Sequence, residues 1–308
     1  MNLGDLRKKY ETGQISKLVF IKKMHQIHKT LFDYAEYLKG TDMAKIEISG
    51  KGVIMTTKSG VRLVSDKDDI RTPPLCILNF SHYESNEMDM VVKLIKKYWH
   101  DGFTFLDIGG NIGWYATNLP KVFPEMRIHS FEPIPSTFSY LKENIKMNRS
   151  DNVRIYNFGF SDSQKELTFY FKQGDSVNAS LRNMSGGKGV RKVKSKVYKV
   201  DDFVGRKKIH VDFIKCDVEG AEFFVFKGAS KILMRDKPVV LAEMLRKWAA
   251  KFNYHPNEII NYFKNLGYLC YTIKDLKLSR FNLMDESTVE TNFIFIHPDW
   301  AKTHEKRK

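Results

Sequence analysis

Apolar residues recur every three or four positions along the first forty residues, with lysines between them. The series comprises Leu18, Ile21, Met24, Ile27, Leu31, Tyr34 and Leu38. This spacing predicts an amphipathic helical region that stops near Gly40. Such a region either packs on its own domain or binds a membrane surface or a partner.

Beyond residue 40 the pattern first becomes strand-like and then helical again. Residues 44–64 alternate apolar and polar positions around glycine-containing turns, which predicts short antiparallel strands. Residues 86–99 return to helical spacing. We therefore expect residues 1–80 to form an N-terminal extension of helix and short strands.

From residue 103 onward, apolar runs typical of strands alternate with helical stretches. The strand candidates are FTFLDI, RIHSFEP, VRIYNFGF, VDFIKCDV and PVVLAEM, and the helical stretches include residues 134–148 and 220–234. This alternation predicts an α/β fold with a mostly parallel sheet covered by helices on both faces. YLCYTI and NFIFIHP follow without a long helix between them, which predicts an antiparallel pair near the C-terminus. We assign residues 81–308 to this α/β domain.

Composition adds a strong positive charge. The 308-residue chain has a formal net charge of +15, and seven basic residues without an acid lie between Arg182 and Lys199. Such a balance favours an anionic partner, such as a phosphorylated sugar, an acidic polysaccharide, a nucleic acid or a membrane surface, although a solvated basic surface explains it equally well.

The three widely spaced cysteines and the lack of a long apolar run predict a reducing, cytoplasmic setting.

The stretch FLDIGGNIGWY indicates a ligand that closely approaches the backbone. It ends a predicted strand at Asp107 and continues through Gly109, Gly110, Asn111 and Gly113. The dinucleotide fingerprint G-x-G-x-x-G is incomplete here. An acid at this strand tip is a poor neighbour for a pyrophosphate and a good one for an ammonium group. The turn therefore favours S-adenosylmethionine over NAD.

Two further acids fit a nucleoside. Glu132, nineteen residues after Gly113, ends the second predicted strand and can accept hydrogen bonds from ribose hydroxyls. That acid alone suits NAD equally well. Asp162 follows the third strand and is placed to accept from an adenine amino group, although Ser-Asp is also an ordinary turn pair.

Taken together, several motifs resemble the FkbM family of S-adenosylmethionine-dependent methyltransferases. They are FLDIGGNIGWY, SFEPIP, LKENIKMN, FGFSD and IKCDVEGAEFFVFKGA, and the resemblance spans roughly residues 83–300. It implies a Rossmann-like class I methyltransferase sandwich, S-adenosyl-L-methionine at the glycine turn, and O-methylation of a sugar or a polyketide-type product. Gly110 replaces an alanine that is common in the family, which we expect to be harmless. SHYESNE resembles the family's Y-E-x-x-E segment, which would place Glu84 and Glu87 on the cofactor side.

The end of the fourth strand carries the candidate catalytic acids. Asp217 and Glu219 are two residues apart, so both can point toward one side of the strand end, and Glu222 follows. A carboxylate there can act as a general base, hold the methionine amino group or bind a divalent cation. We assign catalysis to Asp217 and Glu219, with Asp217 also on the cofactor, and assign no metal.

Other candidates concern the acceptor. Glu243 ends the fifth strand, and the glycine-containing basic segment contributes Arg182, Lys188 and Arg191 as a patch for a phosphate or carboxylate, or else forms a solvated hairpin. His82 and His255 are weaker candidates for a base.

The sequence therefore predicts a cytoplasmic O-methyltransferase that acts on a sugar hydroxyl in a nucleotide-sugar, glycolipid or surface-polysaccharide pathway. The expected partner is a small-molecule or glycan acceptor, with peripheral membrane contact through the N-terminal helix as an option. An RNA methyltransferase is an alternative favoured only by charge, and no appended RNA-binding module is recognisable. A non-catalytic cofactor-binding scaffold is a second alternative, against which Asp107, Glu132 and Asp217 argue.

Overall fold

A computed structural model describes residues 2–172, 175–180 and 190–300, with only the backbone described for residues 171, 172 and 175–180. The chain starts with three helices, α1 (Leu3–Glu11), α2 (Lys17–His28) and α3 (Thr30–Tyr37). The predicted helical character is confirmed, but the region is broken: Gly13 has φ +70°, and Ser16 caps α2 by accepting a hydrogen bond from Val19 N. Neither α2 nor α3 contains a buried residue.

A small antiparallel sheet follows, as predicted. Its strands are β1 (Met43–Ser49), β2 (Gly52–Thr57) and β3 (Arg62–Ser65), and the helices α4 (Pro73–Phe80) and α5 (Ser85–Lys97) come next.

The α/β part contains the remaining strands and helices. In chain order they are β4 (Thr104–Ile108), α6 (Trp114–Val122), β5 (Arg127–Phe131), α7 (Pro135–Asn148), β6 (Val153–Tyr156), β7 (Gly159–Phe160), β8 (Lys165–Lys172), β9 (Asp175–Ser180), β10 (Val190–Tyr198), α8 (Val200–Lys207), β11 (Phe213–Cys216), α9 (Glu222–Lys227), α10 (Ser230–Arg235), β12 (Val239–Glu243), α11 (Arg246–Ala249), α12 (Pro256–Asn265), β13 (Leu269–Lys274), β14 (Lys277–Phe281) and β15 (Asn292–Ile296).

Eight of these strands form the central sheet, in the order β14-β13-β15-β12-β11-β4-β5-β6. Neighbours from β12 to β6 run parallel, and β15 pairs antiparallel with both β12 and β13. The predicted α/β fold and the antiparallel pair are confirmed. The sequence patterns did not reveal β14, an edge hairpin strand in which three of the five residues are polar or basic.

A second sheet, ordered β7-β10-β8-β9, was not predicted. It divides the predicted third strand, because β6 belongs to the central sheet while β7 pairs with β10. Residues 190–198 of the basic segment, expected to belong to a loop, form β10 and pair antiparallel with β8. Their alternation of lysine with valine and serine is that of a strand with one solvated face.

The central sheet is buried on both faces. Phe105 and Phe213 belong to one apolar cluster, whereas Leu106 and Ile214 belong to the other. Adjacent residues of one strand therefore enter opposite layers, which explains why these strands read as continuous apolar runs. In the described ranges no helix is both long and apolar enough to cross a bilayer.

The small N-terminal sheet lies against α7. The side-chain oxygens of Asn144 and Asn148 accept hydrogen bonds of 2.9 Å from Val64 N and Arg62 N, respectively. These bonds satisfy the backbone of edge strand β3. They also bring the segment that ends in α4 alongside the carboxyl ends of the central strands. The boundary proposed at residue 80 stays a prediction.

Candidate active site

A cavity of about 720 Å³ opens at the carboxyl ends of β4, β5, β11 and β12. This is the edge at which open α/β sheets bind ligands. The glycine turn forms its floor, and Ile70, Arg71, Cys76 and Phe80, from α4 and the segment before it, contribute to a wall.

The glycines of the turn are required by close backbone contacts. A Cβ on Gly109 would lie 1.8 Å from the backbone oxygen of Asp217, and one on Gly113 would lie 2.7 Å from a methyl group of Leu141. Both glycines also have positive φ angles, +79° and +95°. The turn therefore packs directly against the strand end that carries the predicted catalytic acids.

Asp107 lies under this turn and is 1% exposed. Its Oδ2 accepts a 2.8 Å hydrogen bond from Ser130 Oγ, while its Oδ1 has no partner among the described residues. Burial raises the pKa of Asp107, although Lys215 and Ser130 oppose the shift. The unpaired oxygen is a buried hydrogen-bond acceptor, and Asp107 itself is not among the residues that line the cavity.

Lys215 links the turn to the acids. Its Nζ lies 3.1 Å from Asp217 Oδ2 and donates to Gly109 O at 3.3 Å. Burial alone would lower the pKa of Lys215, but Asp217, Asp107 and Glu84 outweigh it and raise the pKa. The lysine therefore stays charged, and the carboxylates around it outnumber it three to one.

Glu84 completes this group at the start of α5. Its pKa is raised by burial and by Asp217, against the effects of Lys215, Tyr83 and Tyr115. The residue lines the cavity with φ +45°, an uncommon conformation for a glutamate. Glu87, its predicted companion, is not among the cavity residues; its Oε1 accepts from Asn292 Nδ2.

Glu132 lies at the tip of β5, as predicted. Its two carboxylate oxygens accept hydrogen bonds from Asn111 N at 3.1 Å and Ile134 N at 2.8 Å. Burial raises the pKa of Glu132 to about 7. Each oxygen keeps a second lone pair for a ligand hydroxyl. Asn111, with φ +47°, has a buried Oδ1 without a partner in the described part of the chain.

Three carboxylates converge on one side of the cavity, at the ends of β11 and β12. One oxygen each from Asp217, Glu219 and Glu243 lie within 4.8 Å of one another. Burial raises the pKa of Glu243 well above its usual range, and the neighbouring Asp217 and Glu219 raise it further. Burial and the two neighbouring carboxylates thus favour the protonated form of Glu243.

Glu222 lies outside this carboxylate cluster and does not line the cavity. It is 2% exposed, and its Oε1 accepts from Val218 N and Gly220 N at 2.9 and 3.1 Å. Burial raises the pKa of Glu222 to about 7. This carboxyl group thus satisfies the backbone of the turn that presents the predicted catalytic acids.

The structure brings together most but not all of the predicted residues. Asp162 does not line the cavity; its Oδ1 accepts from Ser163 and Lys165 in a surface turn. His82 and His255 do not line it either, and His255 caps α12. Arg182 and Lys188 lie outside the described residues.

Arg191 is exposed and lines a second cavity, of about 1030 Å³, between the N-terminal extension and α7. It is therefore not in the first cavity, where it was expected to meet the acceptor.

Several residues at or next to the cavity were not predicted from the sequence. Tyr83, Tyr115 and Trp248 line the cavity, and Ser130 donates to Asp107. Tyr83, Tyr115 and Ser130 stand inside the motifs quoted above but were not assigned to the site, although a serine inside the buried run IHSFEP is an unusual polar position. Trp248 stands in none of those motifs. Phe80 and Lys247 lie at the same cavity.

Comparisons with known proteins agree with this geometry. A model described as "Methyltransferase FkbM domain" matches residues 107–270. Two relatives are Methyltransferase 1 of Beauveria bassiana (28% identical over 146 residues; 42% of this chain, 59% of the relative) and Methyltransferase sdnD of Sordaria araneosa (26% over 156 residues; 41% and 60%).

The chain thus spans about three-fifths of the length of these two relatives. Among solved structures, an FkbM methyltransferase from Methylobacillus flagellatus KT aligns with a TM-score of 0.42 and 16% identity, covering 63% of this chain and 44% of that one. The family match extends over more than half of the chain and begins at Asp107, the acid under the glycine turn. The protein therefore belongs to the FkbM family of S-adenosylmethionine-dependent methyltransferases.

Proposed function

We propose that the turn and strand tips around Asp107 bind the methyl donor. The carboxylate cluster next to them accepts the proton of a sugar hydroxyl, which receives the methyl group. S-adenosylmethionine supplies a methyl group on a positively charged sulfonium. The residues present fit it: Asp107 Oδ1 and Asn111 Oδ1 are buried acceptors without a partner among the described residues. Glu132 is placed for the ribose hydroxyls, and the excess of carboxylates around Lys215 suits a cationic ligand.

The carboxylate cluster supports oxygen as the methylated atom, because a hydroxyl must lose its proton during transfer. Asp217 is held by Lys215 at 3.1 Å, and burial and the neighbouring carboxylates raise the pKa of Glu243 and so favour its protonated form. Glu219 is then the member that accepts the proton. Asp217 orients Lys215 and the donor side, and Glu243 donates a hydrogen bond to Asp217.

The rest of the cavity supports a sugar acceptor. Trp248 and the largely exposed Phe80 offer aromatic surfaces beside the carboxylates, and carboxylates accept hydrogen bonds from neighbouring hydroxyls. Arg71 and Lys247 also line the cavity, and their positive charge suits a phosphate or carboxylate on the acceptor. We therefore favour a nucleotide-sugar or another phosphorylated glycan. The cytoplasmic location stays a prediction.

Transfer of a labelled methyl group from S-adenosylmethionine tests this proposal. We expect label in a nucleotide-sugar or phosphorylated glycan, and loss of that signal in Glu219→Gln while donor affinity is kept. Transfer to RNA or to a nitrogen acceptor would contradict the acceptor assignment. Full activity of Glu219→Gln would contradict the assignment of the base.

A further inference from the structure

The outer side of α2 and the start of α3 carry large apolar side chains in contact with solvent. Leu18, Ile21 and Phe32 are 62%, 51% and 70% exposed. Lys29, between the two helices, keeps right-handed helical angles (φ −55°, ψ −30°), so the helical spacing continues across the junction. With intervals of three and four residues, Leu18, Ile21, His25, Lys29 and Phe32 form one stripe, which we call the outer stripe.

The opposite side of the same helices accounts for their internal packing. Phe20, Met24 and Ile27 are half-buried, and Phe20 stacks on Tyr10 of α1 with ring centroids 4.7 Å apart. Leu31 and its neighbours on α3 line the second cavity. The outer stripe is therefore not needed to hold α2 against α1, and three large apolar side chains along it are left in water at a cost in free energy.

The charge along the α2 part of the outer stripe is positive, and Glu36, one turn beyond Phe32, forms an ion pair with Lys39 at 2.8 Å. From Thr12 to Phe32 the chain contains four lysines and two histidines and no acid. By helical spacing Lys22 lies beside Leu18 and Lys29 lies beside Phe32, and after Thr12 the first acid is Asp33. A second copy of the chain would bring two sets of lysines together, which disfavours self-association through this face.

We propose that the outer stripe docks the enzyme on an anionic lipid surface. Leu18, Ile21 and Phe32 enter the boundary between headgroups and acyl chains, and the flanking lysines contact lipid phosphates. A 12-residue α2 with apolar side chains between lysines suits lying in the plane of the surface. Docking in this way would hold the cavity near acceptors carried by the membrane, but it does not depend on the acceptor.

Vesicle co-sedimentation tests the proposal. We expect the full-length protein to bind phosphatidylcholine vesicles that contain about a third phosphatidylglycerol, and to bind pure phosphatidylcholine at least tenfold more weakly. Added salt should weaken the binding. Lys22→Glu/Lys29→Glu and Ile21→Ser/Phe32→Ser should each lose at least tenfold in affinity. Lys231→Glu/Lys264→Glu, on α10 and α12, makes the same change in net charge and should bind like the wild type.

Three outcomes would overturn the proposal. They are equal binding by the Lys22/Lys29 and Lys231/Lys264 variants, no preference for the anionic vesicles, and a concentration-dependent dimer in sedimentation velocity that Ile21→Ser/Phe32→Ser abolishes. Donor affinity and far-ultraviolet circular dichroism, measured on the same variants, verify that the fold and the donor site are intact. Failure of docking with normal donor binding would leave the proposed function untouched.

Discussion

Gly110 and Ser130 occupy complementary space beneath the glycine turn. A Cβ on Gly110 would lie 2.1 Å from Ser130 Oγ, and that hydroxyl donates the 2.8 Å hydrogen bond to Asp107. The glycine that replaces the family's common alanine is thus matched to a serine on the neighbouring strand. That this glycine is harmless stays a prediction, which the position of Ser130 in the open space beside it supports.

This relationship predicts non-additive effects of mutation. Gly110→Ala alone should weaken donor binding at least tenfold, because the new methyl group displaces Ser130 and disturbs Asp107. Ser130→Ala should cost about tenfold through the lost hydrogen bond. In the double variant the methyl groups would lie about 3.5 Å apart, so its affinity should equal that of Ser130→Ala. Calorimetric titration of the wild type, the two single variants and the double variant gives the four donor affinities. Strictly additive losses of binding free energy would contradict the prediction.

The carboxylate cluster predicts a separation of binding from catalysis. Glu219→Gln should lower kcat by roughly 10²- to 10⁴-fold with donor affinity unchanged, because it removes only the proton acceptor. Asp217→Asn should weaken donor binding as well, since Lys215 loses a charged partner. Steady-state kinetics and calorimetry on the same preparations distinguish these effects.

Glu243→Gln provides the matched control. An amide still donates to Asp217 as the protonated Glu243 does, so kcat should stay within about tenfold of the wild type. A loss as large as that of Glu219→Gln would instead make Glu243 the base.

Glu222 predicts a pH-dependent stability. Burial raises its pKa from 4.5 to about 7, so the folded protein binds this proton more tightly than the unfolded chain. The stabilising contribution is complete below pH 4.5 and is lost as the pH rises toward 7. Glu222→Gln keeps an oxygen for Val218 N and Gly220 N but cannot ionise. Its free energy of unfolding should therefore rise relative to the wild type between pH 4.5 and 7, by up to about 3 kcal/mol.

Denaturant unfolding at several pH values measures this difference. The exposed Glu125→Gln serves as the control and should follow the wild type across the range. A constant difference between Glu222→Gln and the wild type would show that the buried carboxyl group does not titrate in this window.

The sequence predicts most of the fold, including the small N-terminal sheet, but not the second sheet. The central strands were predictable because Phe105 and Leu106 enter opposite apolar layers and leave an unbroken apolar run. β10 was not, because its lysines alternate with short apolar and polar residues on a half-solvated face, and the glycines before it favour a loop. Its pairing with β8 depends on long-range register, which periodicity within one segment does not encode.

The same difference between local sequence pattern and long-range packing separates the site residues that could be predicted from those that could not. Asp107, Glu132 and Asp217 were predictable because each ends a parallel strand at one edge of the sheet. Asp162 also follows a strand, but residues 159 and 160 pair with β10 in the second sheet, and the carboxylate binds Lys165 instead. Tyr83 and Trp248 reach the cavity from segments whose approach is set by tertiary packing.

Calorimetric titration with S-adenosylmethionine tests the central claim most directly, using the wild type, Asp107→Asn and Asp162→Asn. Both variants remove one negative charge, but only Asp107 lies under the glycine turn with a buried oxygen that has no partner among the described residues. We predict micromolar binding by the wild type and by Asp162→Asn, and a loss of about thirtyfold or more for Asp107→Asn, as expected when a buried charge-assisted hydrogen bond is removed. Wild-type affinity in Asp107→Asn, or an equal loss in Asp162→Asn, would contradict the proposed donor site.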